Sequence, residues 1–223
     1  MKSVIFDLDN TLYSELSYVK SGFIEVSNYL SDKYKLDSDI IYEKLFNIFN
    51  IEGRGKVFNI LLDDLNLSDK ENILNLVYIY RFHTPKISLY DDVLDVLIRL
   101  REDDYKLGII SDGKAIVQKN KIDALNLNNI FDVIILTDAL GPDFWKPSIV
   151  PYKIALDLLN STPNESCYIG DDSFKDFLGP KSLDIKTIQV QYETEIGYWK
   201  KRGFKQTKPD YIVKSLQEIF DFL

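Results

Sequence analysis

Cysteine and histidine each occur once in this chain of 223 residues. A lone Cys167 forms no internal disulfide, and a chain that manages without one fits a reducing cytoplasm. Its neighbours Tyr168 and Ile169 suggest a strand, so Cys167 reads as a small core residue and not as a nucleophile. His83 has no second histidine with which to build a zinc site, and beside Pro85 it reads as a surface or hinge residue. Long apolar runs are missing as well. Val4-Ile5-Phe6 is cut off by Asp7, too short for a signal-peptide core, and no stretch approaches the ~20 apolar residues that span a bilayer, so no membrane partner is expected. Basic residues are outnumbered, 27 Lys+Arg against 35 Asp+Glu, for a formal charge of −8. That balance argues against nucleic acid as a partner, because its phosphates demand a basic surface. It leaves room for a small phosphorylated substrate, since a metal and one or two lysines can reverse the sign inside a cleft. Internal repeats and low-complexity segments are also absent.

What is present is ordinary globular composition, 45% hydrophobic and 28% charged, enough for one core or for a main domain carrying a smaller inserted one. Residues 3–6 read as a short buried strand ending at Asp7. From about Ser14 to Phe82 the apolar period is helical. Leu16, Val19, Phe23, Val26 and Leu30 make one stripe, and Ile41, Leu45 and Ile48 make another behind Ser38 as N-cap. Val57, Ile60 and Leu61 begin a third helix. Ser68-Asp69-Lys70-Glu71 reads as a capping box opening a fourth, with Ile73, Leu76, Val77 and Tyr80 on its inner face. From Asp91 on, helices alternate with strands at Leu107–Ile110, Val133–Leu136, Cys167–Ile169, Thr187–Val190 and Tyr211–Val213. The intervening helices fall near Ala115–Leu125, Ile149–Leu159 and Phe174–Leu183, and Ser215 to Glu218 cap a last one. This alternation predicts an α/β fold, a doubly wound parallel sheet. Residues 1–13 and 87–223 form its core, and residues 14–86 are an inserted helical bundle.

Ligands of open parallel sheets bind beyond the carboxyl ends of the strands. Polar residues gather at four such ends: Asp7-Leu8-Asp9-Asn10-Thr11, Ser111-Asp112-Gly113, the loop leading to Lys146-Pro147, and Gly170-Asp171-Asp172 with Asp176. A calcium loop starting at Asp7 fails at its sixth position, where Leu12 replaces glycine, and at its twelfth, where Tyr18 replaces glutamate. Gly53-Arg54-Gly55 lacks the third glycine of a dinucleotide fingerprint and lies between helices, and no Walker-type phosphate loop occurs. Turn chemistry explains one acidic residue after a strand, but not several at the ends of separate strands. Carboxylates with one lysine and a Ser-Asp-Gly turn describe a magnesium and phosphate site. A carboxylate that attacks phosphorus there needs positive charge from the metal and the lysine.

Those residues resemble the four motifs of the haloacid dehalogenase superfamily, in order and at strand ends. Phe6 to Leu12 resembles the first, Ile109 to Gly113 the second, Lys146-Pro147 the third, and Gly170-Asp171 with Asp176 the fourth. The resemblance is to its magnesium-dependent phosphatases with a helical cap after the first strand, and it spans nearly the whole chain. It implies that Asp7 is the nucleophile and a metal ligand. Asp9 is implied to protonate the leaving group and then activate water, with its backbone carbonyl on the metal. Asp171 would complete the protein's share of the magnesium shell, with Asp172 and Asp176 in the outer shell or as an alternative ligand. Ser111 and the amides of Asp112 and Gly113 would hold the phosphoryl oxygens, and Lys146 would neutralise charge. The chain departs from the usual pattern in a longer Gly141–Trp145 loop before Lys146, in Pro180 and Asp184 after the fourth motif, and in the extra carboxylate of Asp172.

The implied activity is hydrolysis of a small phosphorylated metabolite through an aspartyl-phosphate. A phosphomutase of the same fold keeps both aspartates and is the alternative. A dehalogenase lacks the second aspartate, and a non-catalytic relative would have lost some of these groups. Substrate selection is expected in the helical insertion. There Arg54, flanked by Gly53 and Gly55, is either a reader of the substrate's remote group or part of a solvated turn. Tyr13, Tyr18 and Phe46 read as core. Trp199 with Lys200, Lys201 and Arg202 reads as a solvated loop before the last strand.

Overall fold

The computed structural model describes residues 2–192 and 206–223, so the 199–202 segment lies outside the described residues. The chain divides into two compact units, Met1–Glu15 with Ser88–Leu223, and Leu16–Ile87.

The first unit is built on a parallel sheet. Strand β1 (Ser3–Phe6) is followed by α1 (Glu15–Tyr34), α2 (Ser38–Glu52), α3 (Val57–Asp64) and α4 (Lys70–Phe82), which carry the second unit. The chain then runs α5 (Val93–Glu102), β2 (Lys106–Ser111), α6 (Ala115–Ala124), β3 (Val133–Leu136) and the short α7 (Thr137–Leu140). It continues as α8 (Val150–Leu159), β4 (Ser166–Gly170), α9 (Leu178–Lys181), β5 (Lys186–Val190) and β6 (Tyr211–Val213). The six strands lie in the order β3-β2-β1-β4-β5-β6 and pair in parallel. Winding therefore runs outward in both directions from β1 and β4, and the crevice at such a reversal is where ligands bind. Every side chain of β1 is buried because helices cover both faces of a doubly wound sheet, which explains its unbroken apolar run. Ile5, Ile110, Tyr152, Leu156, Tyr168 and Phe177 belong to one buried cluster at the sheet, each large side chain contributing roughly 1.5–3 kcal/mol by burial.

The second unit is helical, with α1 burying Val19, Phe23, Val26 and Leu30 as its stripe requires. Gly22 is where α1 meets α4 closely: a Cβ there would stand 2.5 Å from Tyr80 Cδ2. Phe23 meets Phe49 edge-on, their ring centroids 5.8 Å apart, and Tyr18 is buried as expected of a core aromatic.

Four local readings need correction. The caps of α2 and α4 are Asp37 and Asp69, each one residue from the serine expected to cap. Asp37 accepts from the amides of Asp39 and Ile40, and Asp69 from that of Asn72, while the Ser68 hydroxyl donates to Asp63 instead. The helix expected over Phe174–Leu183 shrinks to α9 because the preceding residues form a turn. There the Asp172 carboxylate accepts from the amide of Phe174, and the Asp172 carbonyl accepts from that of Asp176. The last helix is a 3-10 turn, Leu216–Asp221, with no cap from the Ser215 side chain. Finally, His83 is buried and not on the surface. Its ring lies 5.0 Å from that of Tyr18, and its Nδ1 is 2.7 Å from the carbonyl of Tyr80.

Candidate active site

The site begins where β1 ends. Phe6 pairs with Ile169 on β4, and the amide of Asp7 continues the ladder by donating to the Ile169 carbonyl at 2.8 Å. Beyond it the chain turns: the amide of Leu12 donates to the Leu8 carbonyl at 3.0 Å, and Asn10 takes the left-handed conformation at φ 56°. Asn10 is suited to that conformation, and its side-chain oxygen accepts from the amide of Glu15 as α1 begins. The turn and the β1–β4 pairing together set Asp7 beside the residues that end β4.

Asp7 is 1% exposed and Lys146 4%. The Lys146 ammonium lies 2.7 Å from Asp7 Oδ1, 2.8 Å from Asp176 Oδ1 and 3.1 Å from the Tyr168 hydroxyl. The longer loop before Lys146 thus brings this lysine to Asp7. Burial alone would lower its pKa, but Asp176, Asp7 and Asp112 outweigh burial and raise it above its ordinary value, so the charge is permanent. Asp112 also braces the lysine's backbone: its Oδ1 accepts from the amide of Lys146 at 3.1 Å and from the hydroxyl of Thr137 at 2.7 Å.

Among the described residues, Asp7, Asp171 and Asp176 bring one carboxylate oxygen each within 4.8 Å of one another. Burial pushes Asp171 well up; Lys175 opposes this, while Asp176, Asp7 and Asp172 add to it. A carboxyl pushed up by burial and by the carboxylates around it suits a hard divalent cation, which supplies the positive charge that its ionised form lacks. Both oxygens of Asp176 have other partners, Lys146 on Oδ1 and the amide of Asp172 on Oδ2 at 2.9 Å. On that count Asp171 suits a cation better than Asp176 does, while Asp7, like Asp176, already has a cationic partner in Lys146. A Cβ on Gly170 would stand 2.6 Å from Asp176 Oδ2, so only glycine lets that carboxylate pack against the end of β4.

Asp9 is placed differently. Its Oδ1 accepts from the Lys121 ammonium at 2.7 Å and from the Tyr13 hydroxyl, and its Oδ2 accepts from Gln118 Nε2 at 2.7 Å. Burial would raise its pKa, but Lys121 and these hydrogen bonds prevail and hold it down at about 2. Ser111, fully buried at the end of β2, accepts from the same Gln118 amide at 2.5 Å, and Gly113 follows it with φ 119°. Arg54 belongs to the helical unit, exposed in the loop between α2 and α3. In that loop Gly53 ends α2 at φ 71°.

Sequence reasoning missed four side chains that touch the site. Lys175 reaches within 3.4 Å of Asp7 Oδ2, and Tyr168 holds both Lys146 and Asp176. Gln118 and Lys121, at i and i+3 on α6, are polar like the exposed residues of that helix, and only its docking turns them inward.

The sequence model described as haloacid dehalogenase-like hydrolase matches residues 4–190. The glyceraldehyde 3-phosphate phosphatase of Methanocaldococcus jannaschii is 29% identical over 100% of this chain and 97% of its own length. Pyrophosphatase PpaX of Bacillus mycoides is 24% identical over 100% and 97%. The crystal structure of a HAD phosphatase from Thermococcus onnurineus superposes with a TM-score of 0.62 at 25% identity, covering 99% of this chain and 97% of the other. With its family model spanning most of the sequence and its carboxylates at the ends of β1 and β4, this chain belongs to the haloacid dehalogenase-like hydrolases.

Proposed function

We propose that this hydrolase removes the phosphoryl group from a small phosphorylated metabolite through a covalent intermediate on Asp7. One observation carries the reading: the buried Lys146 ammonium contacts Asp7 at 2.7 Å, beside Asp171. A carboxylate attacking a phosphate dianion needs such fixed positive charge. Magnesium, held by Asp7, Asp171 and the carbonyl of Asp9, would add charge stabilisation on the phosphoryl oxygens.

An Asp7 oxygen attacks phosphorus as the bond from phosphorus to the leaving oxygen breaks, and Asp9, ionised at rest, takes up the proton that a monoanionic ester brings to the site and passes it to that oxygen. Asp9 then takes a proton from water as the water oxygen attacks phosphorus, and cleavage of the acyl phosphate frees Asp7 and inorganic phosphate. Ser111 and the amides of Asp112 and Gly113 hold the phosphoryl oxygens. Lys146 keeps its charge throughout. The helical unit serves as the substrate-selecting cap, with Arg54 as its reader of the metabolite's remote group.

Inorganic phosphate release with magnesium, from a panel of sugar phosphates, three-carbon phosphates, nucleotides and pyrophosphate, tests the reading. Wild type should release phosphate and Asp7→Asn none. Residual turnover in a clean Asp7→Asn preparation would sink the covalent mechanism. Arg54→Ala should raise KM for the preferred metabolite and scarcely affect p-nitrophenyl phosphate, and equal effects on both would remove Arg54 from substrate selection.

A further inference from the structure

Gln118 and Lys121 lie one turn apart on α6, and their exposures are 1% and 3%. A buried amide and a buried ammonium are expensive unless well partnered. Core packing alone would be served as well by two apolar residues, since the neighbouring Ile122 and Leu125 already are apolar. The partners of this polar pair are functional groups. Lys121 Nζ lies 2.7 Å from Asp9 Oδ1, while Gln118 Nε2 lies 2.7 Å from Asp9 Oδ2 and 2.5 Å from Ser111 Oγ. Gln118 is itself wedged in place, because a Cβ on Gly113 would be 3.3 Å from its amide carbon and oxygen. One helix face thus grips the Asp9 carboxyl by both oxygens and ties it to the serine at the end of β2. Rotating Asp9 about its side-chain bonds would break at least one of these contacts.

We propose that Gln118 and Lys121 are positioning residues that aim Asp9 at the leaving-group oxygen. The inference rests on the reading of Asp9 as the acid and base of a phosphatase. Proton transfer by a placed side chain contributes typically 10²–10⁴-fold, and a misplacement of about 1 Å can cost about 10²-fold. A carboxyl that is loosely held loses most where the leaving group most needs a proton.

Two esters of nearly the same shape separate this role from a structural one. p-Nitrophenol departs readily as its anion, whereas phenol, a much weaker acid, depends more on protonation as it leaves. kcat/KM covers only the steps through phosphoryl transfer, so it isolates this proton. In Lys121→Met and in Gln118→Met, which keeps chain length and removes the donor, the ratio of kcat/KM for phenyl phosphate to that for p-nitrophenyl phosphate should fall by about tenfold. Circular dichroism identifies a variant that has not folded, and Gln118→Met carries the test if Lys121→Met fails there. An unchanged ratio in a folded variant, whether both esters slow together or neither does, overturns the positioning role. If wild-type enzyme releases phosphate from neither ester, the phosphatase reading fails instead, and the two failures are distinct.

Discussion

Lys146 and Asp7 form a 2.7 Å ion pair whose side chains are 0% and 1% exposed. Screening by salt and water is minimal at such a pair, so its effect on a developing phosphoryl charge is large. Lys146→Met should lower kcat by about 10²–10³, the usual cost of one preorganised electrostatic contact, or ~2.7–4 kcal/mol. It should also lower thermal stability, because the Asp7 and Asp176 carboxylates would remain buried without their cation. A loss in kcat below about threefold would mean that another cation, with Lys175 the first candidate, does this work.

Gly170 and Asp176 make a steric prediction. With Asp176 fully buried and its carboxylate 2.6 Å from where a Cβ would stand, Gly170→Ala must push that carboxylate off Lys146 and off the amide of Asp172. Overpacking of this kind costs typically ~1–3 kcal/mol, and it disturbs the charge balance around Asp7. Phosphate release should fall along with the melting temperature. A variant as active and as stable as wild type would show that the β4 end has slack which this packing denies.

The carboxylates of Asp7 and Asp171 should make the protein respond to metal even without substrate. Magnesium added at about a hundred times its dissociation constant should stabilise the fold by ~2.7 kcal/mol, read as a rise in melting temperature. Asp171→Asn should abolish that rise, and phosphate release should stop on chelation. Calcium, larger and drawn to more ligands, should support little turnover. Full activity after exhaustive chelation would remove the metal from the reading.

The polar residues that the structure gathers around Asp7 are legible in the amino-acid sequence. Asp7, Asp9, Ser111, Lys146 and Asp171 are readable because buried parallel strands show as short apolar runs, and polar residues follow where such runs end. The supports of Asp9 are harder to read. Gln118 and Lys121 look like ordinary surface residues of α6 until the helix is docked, and docking is set by long-range packing. The caps of α2 and α4 fall one position away from expectation for a simpler reason. Asp37-Ser38 and Ser68-Asp69 each offer two good capping residues, and local rules cannot choose between neighbours. Nor does the sequence reveal that residues 172–176 form a turn, since helix period and turn chemistry both fit Asp172-Ser173-Phe174.

His83, which reads from sequence as a surface or hinge residue, yields a prediction because it is buried. The Tyr80 carbonyl can only accept, so Nδ1 carries the proton of the neutral ring. Nε2, 3.1 Å from the Ser21 hydroxyl, then accepts from that hydroxyl, whose oxygen in turn accepts from the amide of Lys86 at 2.9 Å. Burial lowers the pKa of His83 below its ordinary 6.5; the Tyr80 carbonyl and Glu25 oppose this without reversing it. In the unfolded chain the ring titrates near 6.5. The folded state therefore keeps its full margin above that pH and loses stability as pH falls from about 6.5 through the depressed folded value, because there the unfolded chain binds the extra proton. Melting temperature should drop over that window, and His83→Gln, which has no such proton to bind, should flatten that part of the profile. If the variant loses stability on acidification as steeply as wild type, other groups are responsible and the neutral His83 is only packing.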